Sequence, residues 1–470
     1  MRQHAYPESP VFDLAVIGSG PGGYEAALHG ALAGMRVCLV EKAALGGVCV
    51  NWGCIPTKAL LRSAEVFDLM KHAASFGVTV SGTGFDLVRA VKRSRNVAMK
   101  SSRGVEYMLR KAGVEVMQGE AVLSGSHSIT VSVAGTESQT FQASSIIIAS
   151  GARPKVLPGL EPDGQRIITS REALVMKTLP GSMIVVGGGA IGVELAWFFA
   201  MAGTKVILLE LMDRLLPLED RELSEGLKRS FEKAGITVLC GARAGNVISD
   251  TTGVSADIII GGEEPRREQA DYLLVAVGVT GCTEGLGLEA AGVEVSRGFI
   301  VTDGICRTSA PDIYAIGDVR GGMLLAHKAS SDAVIAVDAI MGREPLPLDE
   351  RSIPRCVYSQ PSVASVGLSE EEAEARGMPV KVGRSLFAAS GKANASGHLE
   401  GMVKLLFDGA DDRLVGAHVL GYDAVELIGE IGLACRLGVT IGELVRTVHA
   451  HPTLSETVRE AAIQAGQSGA

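Results

Sequence analysis

The chain has 470 residues, of which 47% are hydrophobic, and a formal net charge of −9. This length predicts about three domains with large cores, and the acidic balance without a long basic run argues against nucleic acid as a partner. No apolar run reaches the ~20 residues that span a bilayer, and residues 1–10 lack the apolar centre of a signal peptide. We therefore expect a cytoplasmic protein with no membrane partner, in which any disulfide among the eight cysteines is catalytic rather than structural.

The chain opens with an apolar strand, Val11–Ile17, that runs into a loop containing Gly18, Gly20 and Gly23. A helical segment and a second apolar strand come next, and this second strand ends at an acid, Glu41. Such glycines allow a pyrophosphate to approach a helix N-terminus, and the acid can accept hydrogen bonds from ribose hydroxyls. The pattern predicts a dinucleotide site; a glycine-rich structural turn is the alternative.

Directly after this unit, Cys49 and Cys54 stand with four residues between them. A helix is predicted over residues 59–71 with Pro56 near its first turn, so a thiol here would lie at the positive end of a helix dipole. The pair could close a small disulfide ring whose use is to open and close. Two buried inert thiols, or half of a metal site, are the alternatives. No second Cys/His pair at ligand spacing follows nearby, so no metal is predicted.

The first pattern recurs later in the chain. A strand over residues 183–186 leads into Gly187, Gly189 and Gly192, and the next strand ends at Glu210, so the two units align without a gap from the first glycine to the acid. Two dinucleotide-binding folds in one chain predict two dinucleotides. Glu210 favours NAD over NADP, because a carboxylate accepts from the ribose 2′-hydroxyl and repels a 2′-phosphate. A solvated surface acid is the alternative.

Two further candidates lie towards the C-terminus. Asp318 follows a short predicted strand, where its carboxylate could meet a sugar hydroxyl, although a plain turn is a fair alternative. From about residue 347, strands and helices without a glycine phosphate loop suggest an α+β dimerisation module. Within it, His451 and Glu456 lie across a proline-containing turn. A histidine oriented by a carboxylate can act as a base; a capping turn with a surface histidine is the alternative.

The chain resembles the flavin-dependent pyridine nucleotide–disulfide oxidoreductases over nearly its whole length. The resemblance is carried by the two glycine loops with their acids and by the motifs at residues 47–58, 315–318, 325–329 and 451–456. It is strongest to the members that oxidise protein-bound dihydrolipoamide with NAD+. In that family, the resemblance implies, the disulfide of a cysteine pair passes electrons from the substrate to FAD and then to NAD+.

The resemblance also implies a role for each matching residue. Cys49 would exchange with the substrate and Cys54 would face the flavin. Lys58 would lie near flavin N5, paired with Glu194. His451, held by Glu456, would be a base delivered from the partner subunit. The implied FAD contacts are Gly18, Gly20, Gly23, Glu41, Lys58, Gly151, Asp318 and Ala326. The implied NAD contacts are Gly187, Gly189, Gly192, Glu194, Glu210 and Gly278.

The predicted fold is α/β, with two Rossmann-like dinucleotide-binding domains, for FAD and NAD, and a C-terminal α+β dimerisation domain. The predicted segments are 1–153 for the first part of the FAD domain, 154–279 for the NAD domain, 280–346 for the second part of the FAD domain, and 347–470 for dimerisation. The implied partners are a second copy of the chain and a separate lipoyl-bearing protein. This protein would be the lipoyl domain of a 2-oxo acid dehydrogenase E2 or the glycine cleavage H protein.

Two positions depart from the family pattern. Val48 stands where members usually carry threonine, and residues 278–282 read Gly-Val-Thr-Gly-Cys in place of Gly-Arg-x-Pro-Asn, with Cys282 as an additional thiol. Two other functions are weighed against the main hypothesis. A glutathione-reductase-like enzyme is expected to carry arginines after the second strand of the second nucleotide unit. Glu210 at this place argues against such an enzyme. A non-catalytic subunit of a dehydrogenase complex would not need the set of cysteines, lysine and histidine.

Overall fold

The computed structural model describes residues 11–133, 135 and 137–467, so the N-terminal segment at residues 1–10 and the last three residues lie outside the described part. The chain separates into two compact units. Unit 1 comprises the described residues of Met1–Pro56, Lys92–Lys155 and Val279–Leu348, and unit 2 those of Thr57–Val91, Val156–Gly278 and Asp349–Ala470. The boundaries of the four segments predicted from the sequence stay predictions.

The strands are numbered in chain order. They are β1 (Val11–Ile17), β2 (Val37–Glu41), β3 (Glu115–Gln118), β4 (Glu120–Leu123), β5 (Ser128–Ser132), β6 (Gln139–Ile148), β7 (Ala152–Pro154), β8 (Ile167–Ile168), β9 (Ser182–Val186), β10 (Lys205–Glu210), β11 (Thr237–Cys240), β12 (Ala242–Ser249), β13 (Val254–Ile260), β14 (Arg266–Ala270), β15 (Tyr272–Val275), β16 (Val279–Gly281), β17 (Val295–Ser296), β18 (Phe299–Ile300), β19 (Ile313–Ala315), β20 (Arg355–Val357), β21 (Ser362–Gly367), β22 (Val380–Leu386), β23 (Gly401–Asp408) and β24 (Leu414–Gly421).

The helices are numbered in the same way. They are α1 (Pro21–Leu32), α2 (Gly47–Trp52), α3 (Cys54–Lys71), α4 (Leu87–Lys111), α5 (Ser170–Ala173), α6 (Ala190–Ala202), α7 (Arg221–Lys233), α8 (Ala326–Ile340), α9 (Glu370–Ala375), α10 (Gly391–Ser396), α11 (Ala424–Leu437), α12 (Ile441–Arg446) and α13 (Glu456–Gln467). Short 3-10 turns occupy Ala73–Phe76, Gly317–Arg320, Glu350–Ser352 and Phe387–Ala389. None of the helices in the described part of the chain combines the length and apolarity that a membrane crossing needs.

Unit 1 is built on a sheet in the order β3-β2-β1-β6, with β19 also paired to β6, and all these pairs are parallel. The first half of β6 continues into an antiparallel extension with β5 and β4. Both faces of the parallel part are buried: Leu14 and Val16 pack on one side with α1 and α8, and Ala15 and Ile17 on the other. Such apolar strands, buried on both faces, are typical of parallel sheets.

Unit 2 contains a second parallel sheet in the order β11-β10-β9-β15-β8. Its register repeats that of unit 1. Leu14 pairs with Val37 in the first sheet, and Met183 pairs with Val206 in the second, which are the positions that the gapless alignment of the two units makes equivalent. The predicted duplication of a nucleotide-binding fold is therefore present in the strand pairing as well as in the sequence, and each fold has its helix after the first strand.

The C-terminal part of unit 2 is an antiparallel sheet in the order β20-β21-β24-β23-β22, packed against α11 and α13. Its core is mostly aliphatic, with Val403, Leu405 and Val419 fully buried together with the rings of Phe387 and Phe407. The prediction of an α+β domain here is confirmed. The sequence did not predict the separate antiparallel sheet β12-β13-β14, which lies in the chain between β11 and β15 of the second parallel sheet.

Residues 115–123 form two strands, β3 and β4, which are separated at Gly119, where φ is 153°. One predicted helix boundary was wrong. The helix predicted to start at residue 59 starts at Cys54, and the preceding residues form α2, which was not predicted. Gly53, with a φ of −142°, separates the two helices. Both cysteines consequently lie on helices.

Candidate active site

The two cysteines are brought together at the junction of α2 and α3. Cys49 lies in α2, Cys54 is the first residue of α3, and their Sγ atoms are 2.6 Å apart. Both side chains are half-buried. Since a disulfide bond is ~2.05 Å long, the pair is placed to form one with little backbone movement. The separation of the two sulfur atoms suits the redox alternative. Among the described residues no group of three Cys, His, Asp or Glu side chains is arranged to hold a metal.

The cysteine segment is joined directly to the first glycine loop, residues 18–23. The N–H of Gly46 donates to the carbonyl oxygen and to Oγ of Ser19, both at 3.1 Å. Gly47 lies so close to the loop that a Cβ on it would stand 2.7 Å from Cα of Gly20. The thiol pair is therefore built onto the loop that the sequence predicts to hold a dinucleotide.

In the first glycine loop, two glycines are required by packing within the protein and the middle one is not. Gly18 has a φ of 100°, and a Cβ on it would lie 2.4 Å from the carbonyl oxygen of Ala149. A Cβ on Gly23 would lie 1.9 Å from the carbonyl oxygen of Gly18. Gly20, in contrast, has an ordinary φ of −60° and only open space where a Cβ would stand. Packing among the described residues does not require glycine there, so the residue fits the close approach of a diphosphate to the loop.

The second glycine loop, residues 187–192, repeats this division. A Cβ on Gly187 would lie 2.3 Å from the carbonyl oxygen of Ala276, and one on Gly192 would lie 1.8 Å from the carbonyl oxygen of Gly187. Gly189 faces open space and begins α6 with an extended backbone. The middle glycine again has no packing reason, which fits a second dinucleotide bound at the N-terminus of α6.

The acids that end the second strands are held in the same way in both folds. Glu41 accepts from the N–H of Ser19 at 2.9 Å and of Ala43 at 2.8 Å. Glu210 accepts from the N–H of Gly188 at 2.6 Å and of Met212 at 2.8 Å. Each carboxylate is thereby oriented at the end of its strand beside its glycine loop. This placement suits the predicted contact with a ribose hydroxyl.

Asp318 lies just after β19, in the 3-10 turn Gly317–Arg320. The turn is held by the fully buried Asp332, which accepts from the Gly317 N–H at 3.0 Å and pairs with Lys328 and Arg320 at 2.8 Å each. Burial raises the pKa of Asp318, and the negative charge of Asp332 raises it further. No hydrogen bond from the described residues satisfies the Asp318 carboxylate. A half-buried acceptor that lacks a protein donor fits a hydroxyl of a bound cofactor.

The structure contains the ion pair that the resemblance implies for Lys58. Its Nζ, on α3, lies 2.9 Å from both carboxylate oxygens of Glu194 on α6. Glu194 is buried and also accepts from the backbone N–H of Tyr358 at 3.0 Å. The Tyr358 ring lies 4.2 Å from Nζ, so Lys58 contacts a carboxylate and an aromatic ring together. This arrangement fixes the position of the ammonium group.

His451 and Glu456 also form the predicted pair. Nδ1 of His451 lies 2.8 Å from Oε1 of Glu456, whose other oxygen accepts from the Thr453 N–H at 2.9 Å. The bond from Thr453, followed by that from His451, lowers the pKa of Glu456, which therefore stays ionised. Nδ1 is thus directed at a carboxylate. The imidazole is 79% exposed in the single chain, so its other nitrogen is accessible.

The remaining predicted contacts lie at chain turns. Gly151 follows β6 with a φ of 74°, Gly278 follows β15 with a φ of 101°, and Ala326 is the first residue of α8. Residues 279–281, the departure from the family pattern, form β16 and pair with β7. Burial raises the pKa of the Cys282 thiol, and the Cys282 carbonyl accepts from Oγ of Ser150 at 2.8 Å. The cofactor roles of these residues stay predictions.

Sequence reasoning missed several side chains that support the site. Ser19 lies between two glycines of the motif, and its hydroxyl, 2.6 Å from Glu41, was available as a signal. Asn51 donates to the carbonyl oxygens of Leu45 and Gly47 at 2.9 and 3.1 Å and lies within the cysteine motif. Asp332 lies four residues after Lys328 on α8, close to the motif at residues 325–329, and this i,i+4 spacing was available as a signal. Tyr358 is distant in sequence from any motif, and no local pattern identifies it.

Comparisons with known proteins agree with these features. Residues 12–333 match the family described as pyridine nucleotide-disulphide oxidoreductase, and residues 353–462 match its dimerisation domain. The dihydrolipoyl dehydrogenase of Chlorobaculum tepidum is 67% identical and covers 97% of both chains. That of Zymomonas mobilis is 43% identical over 97% of this chain and 98% of its own. The crystal structure of LpdA from Mycobacterium tuberculosis aligns with a TM-score of 0.89 at 29% identity, over 96% of this chain and 99% of that one.

Proposed function

The chain belongs to the pyridine nucleotide-disulphide oxidoreductase family, and from this premise we propose that it oxidises protein-bound dihydrolipoamide to lipoamide with NAD+ as the hydride acceptor. The family predicted from the sequence is thereby confirmed. The observation that carries the proposal is the pair of Sγ atoms 2.6 Å apart on a segment bonded to a dinucleotide loop. The relatives named dihydrolipoyl dehydrogenase, at 67% and 43% identity, support the choice of substrate.

FAD and NAD are the cofactors, and the residues present fit both. We assign FAD to the first glycine loop with Glu41, Gly151, Asp318 and Ala326, and NAD to the second with Glu194, Glu210 and Gly278. When bound, FAD would supply two-electron transfer between the thiol pair and NAD+, a chemistry that protein side chains lack. Glu210 supports NAD rather than NADP, since its oriented carboxylate would repel a 2′-phosphate.

The chain's own residues carry out a thiol–disulfide exchange. One thiol of dihydrolipoamide gives its proton to His451, and the resulting thiolate attacks Sγ of Cys49. This breaks the Cys49–Cys54 bond and leaves Cys54 as a thiolate. The second substrate thiol then attacks the first substrate sulfur, which is now bonded to Cys49, and its proton passes to the departing Cys49 sulfur. This step releases lipoamide and leaves Cys49 as a thiol, while His451 keeps the first proton. Two electrons and two protons leave the substrate, and one disulfide is exchanged for another.

Three side chains support this exchange. Glu456 stays ionised and orients His451, so the imidazole can accept the substrate proton through its other nitrogen. Glu194 and the Tyr358 ring hold the ammonium group of Lys58, which we place beside the flavin. We infer that His451 acts on the thiol pair of a second copy of the chain, which makes a homodimer necessary for activity. The match of residues 353–462 to a dimerisation domain supports this inference.

We propose a lipoyl domain as the protein partner, from a 2-oxo acid dehydrogenase E2 or a glycine cleavage H protein. The support comes from the names of the relatives rather than from a surface of this chain. A glutathione-reductase-like activity and a non-catalytic role in a dehydrogenase complex are the alternatives. Glu210 opposes the first, and the preserved cysteine, lysine and histidine pairs oppose the second.

Anaerobic reduction of the purified protein tests the proposal. We expect a yellow protein that develops a long-wavelength charge-transfer band with dihydrolipoamide and forms NADH when NAD+ is added. Cys54→Ser should abolish the band, whereas Cys49→Ser should block turnover but leave Cys54 able to interact with the flavin. Turnover only with NADPH and glutathione disulfide would overturn the proposal, as would a flavoprotein that dihydrolipoamide does not reduce.

A further inference from the structure

The chain around the two cysteines is bound by two consecutive residues of α4. Oγ of Ser94 donates to the carbonyl oxygen of Pro56 at 2.8 Å, and the Arg95 guanidinium donates to the carbonyl oxygen of Asn51. The first carbonyl belongs to the residue two positions after Cys54, and the second to the residue two positions after Cys49. We call Ser94 and Arg95 the α4 bracket, because each holds the chain just beyond one cysteine.

Arg95 makes a second contact with the same segment. Its guanidinium lies 4.3 Å from the centroid of the Trp52 ring, so it stacks on Trp52. Trp52 directly follows Asn51, whose carbonyl oxygen accepts from Arg95. A planar guanidinium can donate a hydrogen bond and stack on a ring at the same time. Arg95 therefore fixes both the backbone and a side chain at the end of α2. Ser94 has no exposed side-chain surface, so its hydroxyl has no water to replace the Pro56 carbonyl.

The other side of the segment is fixed from within. The side-chain amide of Asn51 donates to the carbonyl oxygens of Leu45 at 2.9 Å and Gly47 at 3.1 Å, and Asn51 is buried. These bonds tie the end of α2 to the turn that leads into it. The carbonyl oxygen of Asn51 thus accepts a hydrogen bond from Arg95, while its side-chain amide donates to the preceding turn. The segment is held on both sides while the bond between the cysteines opens and closes.

Without such restraints the reduced segment would be free to separate the sulfur atoms. The four residues between the cysteines include Gly53, which gives the backbone freedom at the end of α2. Ordering a residue costs conformational entropy, so a mobile segment would lower the effective concentration of one thiol at the other. A lower effective concentration makes the disulfide less stable relative to the two thiols.

We propose that Ser94 and Arg95 are positioning residues for the redox pair, which keep the reduced sulfur atoms together and so stabilise the Cys49–Cys54 disulfide. The proposal rests on the proposed function in taking this pair as the redox centre. It adds two residues of a different helix to that centre. In the bonds described, both residues act through the peptide chain.

The test measures the thiol–disulfide equilibrium of the holoenzyme rather than turnover. Arg95→Met is equilibrated in buffers of reduced and oxidised dithiothreitol, the thiols are alkylated, and the disulfide fraction is read by mass. We expect the disulfide equilibrium constant to fall by about tenfold, which corresponds to a potential less negative by about 30 mV for a two-electron couple. Arg95→Lys retains a donor and a cation over Trp52 and should recover most of the shift.

Arg103→Met is the matched control, because Arg103 is an exposed arginine on the same helix and in the same unit. It should behave as the wild type. Ser94→Ala should shift the equilibrium in the same direction as Arg95→Met, but less, and serves as the test if Arg95→Met loses its flavin. An unchanged disulfide fraction in a flavin-loaded bracket variant would overturn the proposal, and so would an equal shift in Arg103→Met. Since no dihydrolipoamide is used, a wrong substrate assignment would leave the expected shift intact.

Discussion

The two glycine loops of this chain have similar backbone conformations but differ in the segments that pack against them. After β2 the chain turns at Gly46 and Gly47, bonds to Ser19 and delivers the cysteine pair. After β10 an aliphatic segment lies at the same place, where Leu216 donates from its N–H to the Gly188 carbonyl at 2.9 Å. A Cβ on Gly188 would stand 2.7 Å from the side chain of Leu215, so this loop cannot carry the serine of the first loop.

This difference distinguishes two copies of one repeated fold. The two glycine loops and the acids that end the second strands are held in the same way in both copies, and the strand registers are equivalent. The cysteine pair is carried by the segment after the second strand of the first copy. The Glu41 carboxylate there accepts from a hydroxyl as well as from two N–H groups, whereas Glu210 accepts from two N–H groups. We infer that the first loop suits a resident cofactor and the second an exchanging one.

The largest expected effect comes from the third glycine of each loop. Gly23→Ala and Gly192→Ala would place a Cβ 1.9 and 1.8 Å from a carbonyl oxygen, which the loop must move to avoid. Overpacking of this kind costs ~1–3 kcal/mol or more, so each variant should lose on the order of 100-fold in turnover. The two variants should lose turnover for different reasons, one through loss of flavin and the other through loss of NADH formation. Gly23→Ala should be purified without flavin, whereas Gly192→Ala should be yellow and reducible by dihydrolipoamide but should not form NADH.

Visible spectra and anaerobic reduction of the two variants measure this difference. Melting temperatures of the flavin-free proteins provide the control, since both substitutions strain an equivalent turn. If both variants lost flavin equally, the assignment of one cofactor to each loop would be wrong.

The middle glycines should show a smaller effect that leaves the fold intact. Gly20→Ala and Gly189→Ala add a methyl group where the protein has open space, so neither should change the stability of the cofactor-free protein. Each methyl group would, however, meet a bound diphosphate. We expect Gly20→Ala to weaken FAD binding and Gly189→Ala to raise the KM for NAD+, each by ~10-fold, or about 1.4 kcal/mol. A loss of stability before cofactor is added would contradict the division between packing and ligand glycines.

Much of this architecture could be predicted because the duplication is visible in the sequence. The gapless alignment of the two units is matched in the structure by equivalent strand pairing, Leu14 with Val37 and Met183 with Val206. The helix α2 could not be predicted, because Gly46, Gly47 and Gly53 mark turns and the helix is short. Lys58 and Glu194 are distant in the sequence, and only the family resemblance identified their pairing. The α4 bracket had no such guide, since its contacts join segments that are far apart in the sequence and share no local pattern.

The serine that distinguishes the first loop provides a finer test of the comparison. Ser19→Ala removes a hydroxyl that lies 2.6 Å from Glu41 and accepts from the Gly46 N–H, so the acid and the cysteine segment lose a shared partner. A hydrogen bond to a charged group contributes ~1.5–3 kcal/mol. Because the Ser19 N–H still donates to Glu41 and the Ser19 carbonyl still accepts from Gly46, we expect the loss to lie at the lower end of this range, ~1.5 kcal/mol. Faster flavin release in dilute denaturant would measure it, with unchanged KM for NAD+ as the internal control.

The smallest expected effect concerns Asp318. In the second sheet, β8 pairs with β15 as β19 pairs with β6, and this register makes Glu172 the residue that corresponds to Asp318. Glu172 accepts from the N–H of Thr169 at 2.9 Å and so caps α5, whereas no hydrogen bond from the described residues satisfies the Asp318 carboxylate. Burial raises the pKa of Asp318 from its ordinary value of 3.8. The folded, flavin-free protein therefore holds this proton more tightly than the unfolded chain does. The resulting stability is full below pH 3.8 and is lost as the pH rises through the raised value.

Asp318→Asn removes this dependence because an amide does not ionise. At pH 7 the flavin-free variant should be slightly more stable than the flavin-free wild type, since burying an amide costs less than burying a charge. The difference should shrink as the pH falls towards 4, where the wild-type carboxyl gains its proton. Binding of FAD should show the opposite order, with the wild type tighter, because the charged acceptor is the better partner for a hydroxyl. Denaturant unfolding at the two pH values, with and without FAD, measures both orders. If the variant were less stable without flavin and bound FAD normally, Asp318 would be a structural turn residue rather than a cofactor contact.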